Sequence, residues 1–401
     1  MKELLLLAHR LPFPPNKGDK IRSYHLWRFL SERYRVHLGA FVDREEDRVF
    51  IPEVEKMCNG ASFLPWLDGR QAKWRSLQGL LTGQALTLPY YRHEAMQKWV
   101  NDLLVERELA GVVIYSSAMA RFVPHNSGSL RLLVDFVDCD SLKWRQYSTT
   151  RWGLMRWIYA REGEQLLDWE KRVAGRADAS FFVSPAEAAL FRNQAPGIAE
   201  RIGFWENGVD AERFDPALNY PDPYGPGGKM LVFTGAMDYW PNVQGVVWFA
   251  REVWPRILRQ EPETRWAIAG GRPTPDVQRL ANLPGVRVTG AMADSRPYIA
   301  HATVAVAPLF IAQGVQNKVL EAMALAKPVV TTPKAMEGIR HCPEAARWIT
   351  EDPERMAGMV VTLLRDADLC RQSGKAGRTC ILRDYRWEVN LERLLAALEG
   401  V

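Results

Sequence analysis

Twelve short apolar runs alternate with helix-forming stretches along this 401-residue chain, and that alternation is its strongest constraint. In the first half the runs are Leu4–Ala8, Val36–Val42, Val112–Ser116, Leu132–Val137, Ser180–Ser184 and Ile202–Trp205. In the second half they are Met230–Gly235, Trp266–Gly270, Val286–Thr289, Thr303–Leu309, Val329–Thr332 and Trp348–Thr350. The runs are near-continuously apolar. Strands buried on both faces of a parallel sheet read this way, with helices covering each face. A chain of this length defaults to two domains. The expected class is therefore α/β with two Rossmann-like halves: residues 1–214, a linker at 215–229, and residues 230–385. The linker, DPALNYPDPYGPGGK, is rich in proline, glycine and aspartate.

Composition narrows the setting. With 47% hydrophobic and 25% charged residues, the chain is an ordinary globular one. No apolar run approaches the roughly 18 residues that a membrane span needs. Leu4–Ala8 is followed at once by His9 and Arg10, so it reads as a buried strand and not a signal segment. The five cysteines, Cys58, Cys139, Cys342, Cys370 and Cys380, form no CxxC pair and no even framework. That predicts a reducing cytoplasm and no zinc site. A net charge of +5 suits a phosphorylated substrate or an anionic membrane face and is too weak to argue for nucleic acid.

The segment Ala307–Thr332, APLFIAQGVQNKVLEAMALAKPVVTT, carries the most chemistry. A strand-like run ends in the turn Gln313-Gly314-Val315. A helix of good formers follows over about 316–326, and Pro328 stops it. Strand, glycine turn and helix start together make an anion site, because free N–H groups and the helix dipole point into the loop. Gln316, Asn317 and Lys318 sit at that helix start. Glu321 lies one turn further on the same face as Asn317. Its carboxylate there would accept hydrogen bonds from a ribose. A solvent-facing glutamate paired to Lys318 would show the same spacing.

These residues resemble the donor-site motif of GT-B glycosyltransferases of the family 4 type, usually written E-G-F-G-x-P-x-L-E-A-M-A-x-G-x-P-V-V. The resemblance places that family's second glutamate on Glu321 and puts Gln313 where the first is expected. RLPFPPNKGDKIRSYH near the start, together with QNKVLEAMA, resembles the bacterial sugar transferases of exopolysaccharide and PEP-CTERM gene clusters. The resemblance runs over nearly the whole chain. It implies two Rossmann-like domains with parallel sheets facing a central cleft. It also implies a last helix, within 386–401, that crosses back to the first domain. Relatives carry an Arg and a Lys after the strand ending at Gly235. This chain has Met237, Asp238, Tyr239 and Trp240 there, so Lys318 and Arg272 become the candidates for the missing charge. Gly290 and Asp294 match the turn beside the nucleobase. Glu206-Asn207-Gly208-Val209-Asp210 resembles the turn that ends the first domain, with Asn207 either a hinge residue or a cleft residue.

In the first half, the loop Lys17-Gly18-Asp19-Lys20 and Arg22 put positive charge beside a helix start. The matching loop in GT-B enzymes faces the donor phosphates or the acceptor. A plain strand–helix turn capped by Asp19 would look alike. Asp135, Asp138 and Asp140 follow a strand, where ligands bind in open α/β sheets. Three carboxylates in six residues require a raised pKa or a cationic partner. Asp138 could deprotonate an acceptor hydroxyl. Asp138-Cys139-Asp140 also spells a D-x-D metal motif, but that motif belongs to a one-sheet fold. No metal or other cofactor is expected. Residues 142–175 mix Trp144, Trp152, Trp157 and Trp169 with seven basic residues. They read either as an ordinary two-helix insertion or as a membrane-surface element.

The expected activity is transfer of a sugar from a UDP- or GDP-sugar to a hydroxyl acceptor, without a metal and with retention. The acceptor would be a lipid-linked or polysaccharide chain at the inner face of the cytoplasmic membrane. Two rivals stand beside it: a nucleotide-sugar 2-epimerase on the same fold, and a non-catalytic nucleotide-sugar-binding partner.

Overall fold

The structure is a computed structural model and describes residues 1–16, 18–124, 130–149, 152–225, 227–312, 314–339, 342–343 and 345–400. The chain divides into two compact units. One comprises residues 1–206 together with 391–401, and the other residues 207–390. The proline- and glycine-rich segment 215–229 thus falls inside the second unit.

The first unit is built on a seven-stranded sheet in the order β3-β2-β1-β4-β5-β6-β7. Its strands are β1 (Glu3–Ala8), β2 (Arg35–Ala40), β3 (Ser62–Phe63), β4 (Leu109–Tyr115), β5 (Arg131–Val137), β6 (Ala179–Phe182) and β7 (Ile202–Phe204). Every pairing is parallel. The second unit holds a five-stranded parallel sheet in the order β10-β9-β8-β11-β12. Its strands are β8 (Met230–Thr234), β9 (Arg265–Ala269), β10 (Val286–Val288), β11 (Val304–Ala307) and β12 (Val329–Thr331).

Two strand expectations differ from the structure. Ser62–Phe63 is a strand that was not anticipated, since two residues give no periodic signal. The run 348–350 gives only an isolated bridge between Ile349 and Thr331. The apolar runs fill the cores as their texture requires. Leu4 to Ala8 are fully buried, as are Leu231 and Phe233. Burying such side chains supplies about 1.5–3 kcal/mol each before the entropy of ordering is subtracted.

The cysteine expectation is corrected. Cys342 and Cys380 are joined by a disulfide, their Cα atoms 5.6 Å apart and 38 residues apart in sequence. Only tertiary packing brings them together, so no spacing rule could have paired them. The argument from cysteines for a reducing compartment falls with it. Closing a loop of that length stabilises a fold by about 2–4 kcal/mol. Calorimetric unfolding of the second unit with and without a reductant should differ by that amount. An unchanged transition would mean that the bridge adds nothing.

Candidate functional site

In an open parallel sheet, ligands collect at the carboxyl ends of the strands where strand order reverses. In the second unit that place lies between β8 and β11. β8 runs into Gly235, and β11 runs into the loop that leads to the helix Asn317–Ala324. Gln316 stands at the cap of that helix and makes no side-chain cap bond to it, its Nε2 donating instead to the Gly314 carbonyl at 3.4 Å. Val319 N donates to the Gln316 carbonyl at 2.9 Å, and the N–H groups of Asn317 and Lys318, as at any helix start, have no acceptor within the helix.

Lys318 stands in the first turn. Its Nζ lies 4.6 Å from the centre of the Phe233 ring and donates to Asn242 Oδ1 at 2.5 Å. Asn242 is buried, and its Nδ2 donates to the Ala236 carbonyl at 2.9 Å. Gly235 makes this possible. A Cβ there would meet Asn242 Nδ2 at 2.7 Å and Lys318 Nζ at 3.2 Å. Its φ of 153° is also one that other residues rarely adopt. Asn242 was missed by sequence reasoning, because one asparagine in a helix carries no motif.

Glu321 is partly buried and bonded by no side chain among the described residues. Burial raises its carboxyl to about 7, against the pull of the Lys318 and Arg213 cations. Burial likewise lowers the Lys318 amine to about 7, against the pull of Glu321. Asn317 Oδ1 is buried without a hydrogen-bond partner. The site thus holds a cation, a carboxylate and an amide oxygen with little internal satisfaction.

The other expected donor residues are placed as follows. Gly314 has φ 64° in the turn before the helix, and Val315 is buried. Gly338 packs directly beneath, where a Cβ would come within 2.6 Å of Gly314. Gly290 follows β10. Asp294 accepts from the Arg296 backbone and from its Nε, both at 2.9 Å, and its charge acts on Glu321. Arg296 also donates to the Arg213 carbonyl at 3.2 Å. Arg272 follows β9, and its exposed guanidinium is paired with Asp238 at 2.6 Å. Of the two candidates for the missing charge, Lys318 stands at the strand end and Arg272 is answered on the surface. Gln313 lies outside the described residues.

The first unit corrects several expectations. Arg22 and Asp135 are almost wholly buried and hold each other through two bonds, at 2.9 and 3.2 Å. Arg22 also lies over the Trp205 ring at 3.2 Å. Lys20 is 1% exposed and paired with Asp47 at 2.7 Å. These three were expected to meet a ligand, and their burial keeps them from touching one. The loop's charge turns inward, because the helix Gly18–Ser31 packs that face against the sheet.

Asp19 is partly buried. Although burial raises its pKa, Arg10 at 2.5 Å holds it below the ordinary carboxylate range. Gly18 opens onto free space, and Lys17 lies outside the described residues. Asp138 and Asp140 both reach Lys143 Nζ, at 2.6 and 3.4 Å. Burial raises the Asp140 carboxyl against that lysine. The three carboxylates thus have the cationic partners that their crowding demanded, and burial raises the carboxyls of Asp135 and Asp140. Val137, just before Asp138, sits at φ 69°, a costly conformation for a β-branched residue. Asn207 opens the second unit, and Gly208 beside it lies against the backbone of residues 385–387. That tight packing accounts for the glycine.

Residues 228–366 match the family model described as Glycosyl transferases group 1. The matched segment lies wholly within the second unit. No curated protein sequence matches the chain. Solved structures do. Sucrose-phosphate synthase from Thermosynechococcus elongatus superposes with a TM-score of 0.66 at 16% identity, over 100% of this chain and 99% of that one. HepE of Anabaena, solved with UDP, gives 0.64 at 15% identity over all of both chains. WaaG, a glycosyltransferase involved in lipopolysaccharide biosynthesis, gives 0.62 at 16% identity, again over all of both. At such identities the likeness establishes the fold, which is GT-B. The segment that matches the family model contains the whole of the Lys318–Glu321 site.

Proposed function

We propose that the protein transfers a glycosyl group from a nucleoside diphosphate sugar to a hydroxyl acceptor, retaining the anomeric configuration and needing no metal. The observation that carries the reading is the Lys318–Glu321 pair at the open start of helix Asn317–Ala324, inside the segment that matches the glycosyltransferase family model. The C1–O bond to the diphosphate breaks, and C1 bonds to the acceptor oxygen. Negative charge grows on the leaving diphosphate. A helix N-terminus and a neighbouring ammonium oppose that charge without a metal. Glu321 holds the ribose hydroxyls. With retention in one step the departing diphosphate oxygen takes the acceptor's proton, whereas Asp138 acting as the base would give inversion.

HepE has been solved with UDP and with UDP-glucose, which favours a UDP-sugar as donor. The acceptor we assign is a lipid-linked or growing polysaccharide chain in exopolysaccharide or other surface-glycan synthesis. The protein then works in the cytoplasm, touching the inner membrane face peripherally through residues 142–175. No helix among the described residues is long and apolar enough to cross a membrane, and the reading needs none.

Calorimetric binding of UDP, GDP and dTDP in EDTA tests the donor side. Metal-free binding is expected, with Glu321→Ala weakening it by about 1–3 kcal/mol through lost ribose hydrogen bonds. Binding only after a divalent cation is restored would overturn the metal-independent reading. Conversion of a donor sugar without acceptor would mark a 2-epimerase instead, and no turnover of any donor a non-catalytic partner.

A further inference from the structure

The insertion after β5 is a helical hairpin, Asp140–Thr149 and Gly153–Arg176. Its four tryptophans divide in two. Trp144 and Trp169 turn inward and pack on Ala85, Leu88 and Leu166. Trp169 Nε1 also donates to the Ser117 carbonyl at 3.0 Å. Trp152 and Trp157 turn outward, 88% and 56% exposed. Leu154 between them is 71% exposed, and Tyr147 on the first helix is 52% exposed. A folded domain gains nothing by leaving so many large apolar side chains in water, and a cluster of them marks an interaction surface.

A second element extends this surface. The short helices Gly69–Ser76 and Gln78–Thr82 carry Trp74 and Leu81, which are 75% and 91% exposed. Arg161 joins the two elements. Its guanidinium donates to the Gly79 carbonyl at 2.6 Å and to the Gln84 carbonyl at 3.2 Å, on either side of Leu81. Leu154, Trp157 and Arg161 follow one another at helical spacing on a single face. The exposed stripe of the long helix therefore runs down to the short helix that bears Leu81.

Charge decides the occupant. From Gly69 to Arg92 there are four basic residues and no acidic one. From Ser141 to Arg161 there are five basic residues and again no acidic one. The chain as a whole is nearly balanced, with 52 basic and 47 acidic residues, so these acid-free stretches stand out. Outward tryptophans with leucines, set among arginines and lysines without a counter-charge, suit the interface of an anionic bilayer. A protein partner of ordinary composition would not demand that every acid be absent.

We infer that residues 69–82, 147–149 and 152–157 form one membrane-docking face that binds anionic lipid. The inference deepens the membrane contact in the proposed function and rests on it for its purpose. It adds a second docking element and the sign of the lipid charge.

The test is vesicle flotation of the full chain without nucleotide or acceptor, so its result is independent of donor chemistry. Vesicles of phosphatidylcholine alone are compared with vesicles of phosphatidylcholine and phosphatidylglycerol. Flotation is expected with the anionic vesicles only, weakening as salt rises. Trp152→Ser/Trp157→Ser and, separately, Trp74→Ser/Leu81→Ser should each reduce partitioning about tenfold or more. All four positions are exposed, so the far-ultraviolet spectra and melting of both variants should match the parent. No flotation of the parent, or flotation unaltered by both variants, would overturn the inference. Self-association that these variants abolish, without vesicle binding, would also overturn it and make the face a contact between copies. Loss of donor turnover with flotation intact would count against the proposed chemistry alone.

Discussion

Lys318→Met should lower turnover about 10²–10³-fold, the usual cost of removing one preorganised group facing developing negative charge. Methionine keeps the length of the side chain, so the site need not collapse. The loss should appear with nucleoside diphosphates and their sugars and be small for the nucleoside. Equal losses for both would refute the phosphate assignment.

The pH dependence of diphosphate affinity sharpens this test. The Lys318 amine is held down to about 7, so the free protein loses that cation as pH rises through neutrality. The Glu321 carboxyl is held up to about 7, so the carboxylate that a ribose needs appears over the same interval. The first effect weakens binding as pH rises, and the second strengthens it. Diphosphate affinity should therefore pass through a maximum near neutrality. In Lys318→Met the falling limb should vanish and the rising limb remain. A maximum that survives the substitution would assign the falling limb to another group.

Asp135→Ala should destabilise the first unit by about 3–5 kcal/mol, because it leaves the Arg22 guanidinium buried and uncompensated. Asp135 is fully buried, and burial raises its carboxyl in spite of Arg22, so the pair is costly to hold and costlier to break. Denaturant unfolding would report the change as a lower midpoint. Removing both partners, with Arg22→Met and Asp135→Leu, should recover much of the loss, since apolar replacement of a buried ion pair is often nearly neutral. A double variant as unstable as Asp135→Ala would show that Arg22 matters more through Trp205.

The contrast between Arg22 and Lys318 shows what the residues disclosed. Both are cations near a helix start after a strand, and the chain alone treats them alike. Lys318 comes with a glycine turn, a proline stop and a glutamate one turn on, and that conjunction has few explanations. Arg22 comes with charges only, and a charge near a loop can face either way. Its partner Asp135 is 113 residues distant, which no local pattern encodes. The same limit hid the Cys342–Cys380 bridge and the Asn242 contact to Lys318. The strands were legible because burial on two faces imposes a continuous apolar run. Ser62–Phe63 was too short to impose one.

The first unit draws on both ends of the sequence. Leu391, Leu394 and Leu398 are buried in it, and Tyr34 donates to Glu399 at 3.3 Å. During synthesis the ribosome must finish the entire second unit before those leucines exist. The half made first is therefore the half completed last. Until then it waits with an unsealed seam beside Gly111, where Leu398 comes to lie. A nascent chain stalled anywhere before residue 391 would present that seam to chaperones and proteases, and trimming the last turns of the final helix would expose it again in the finished protein.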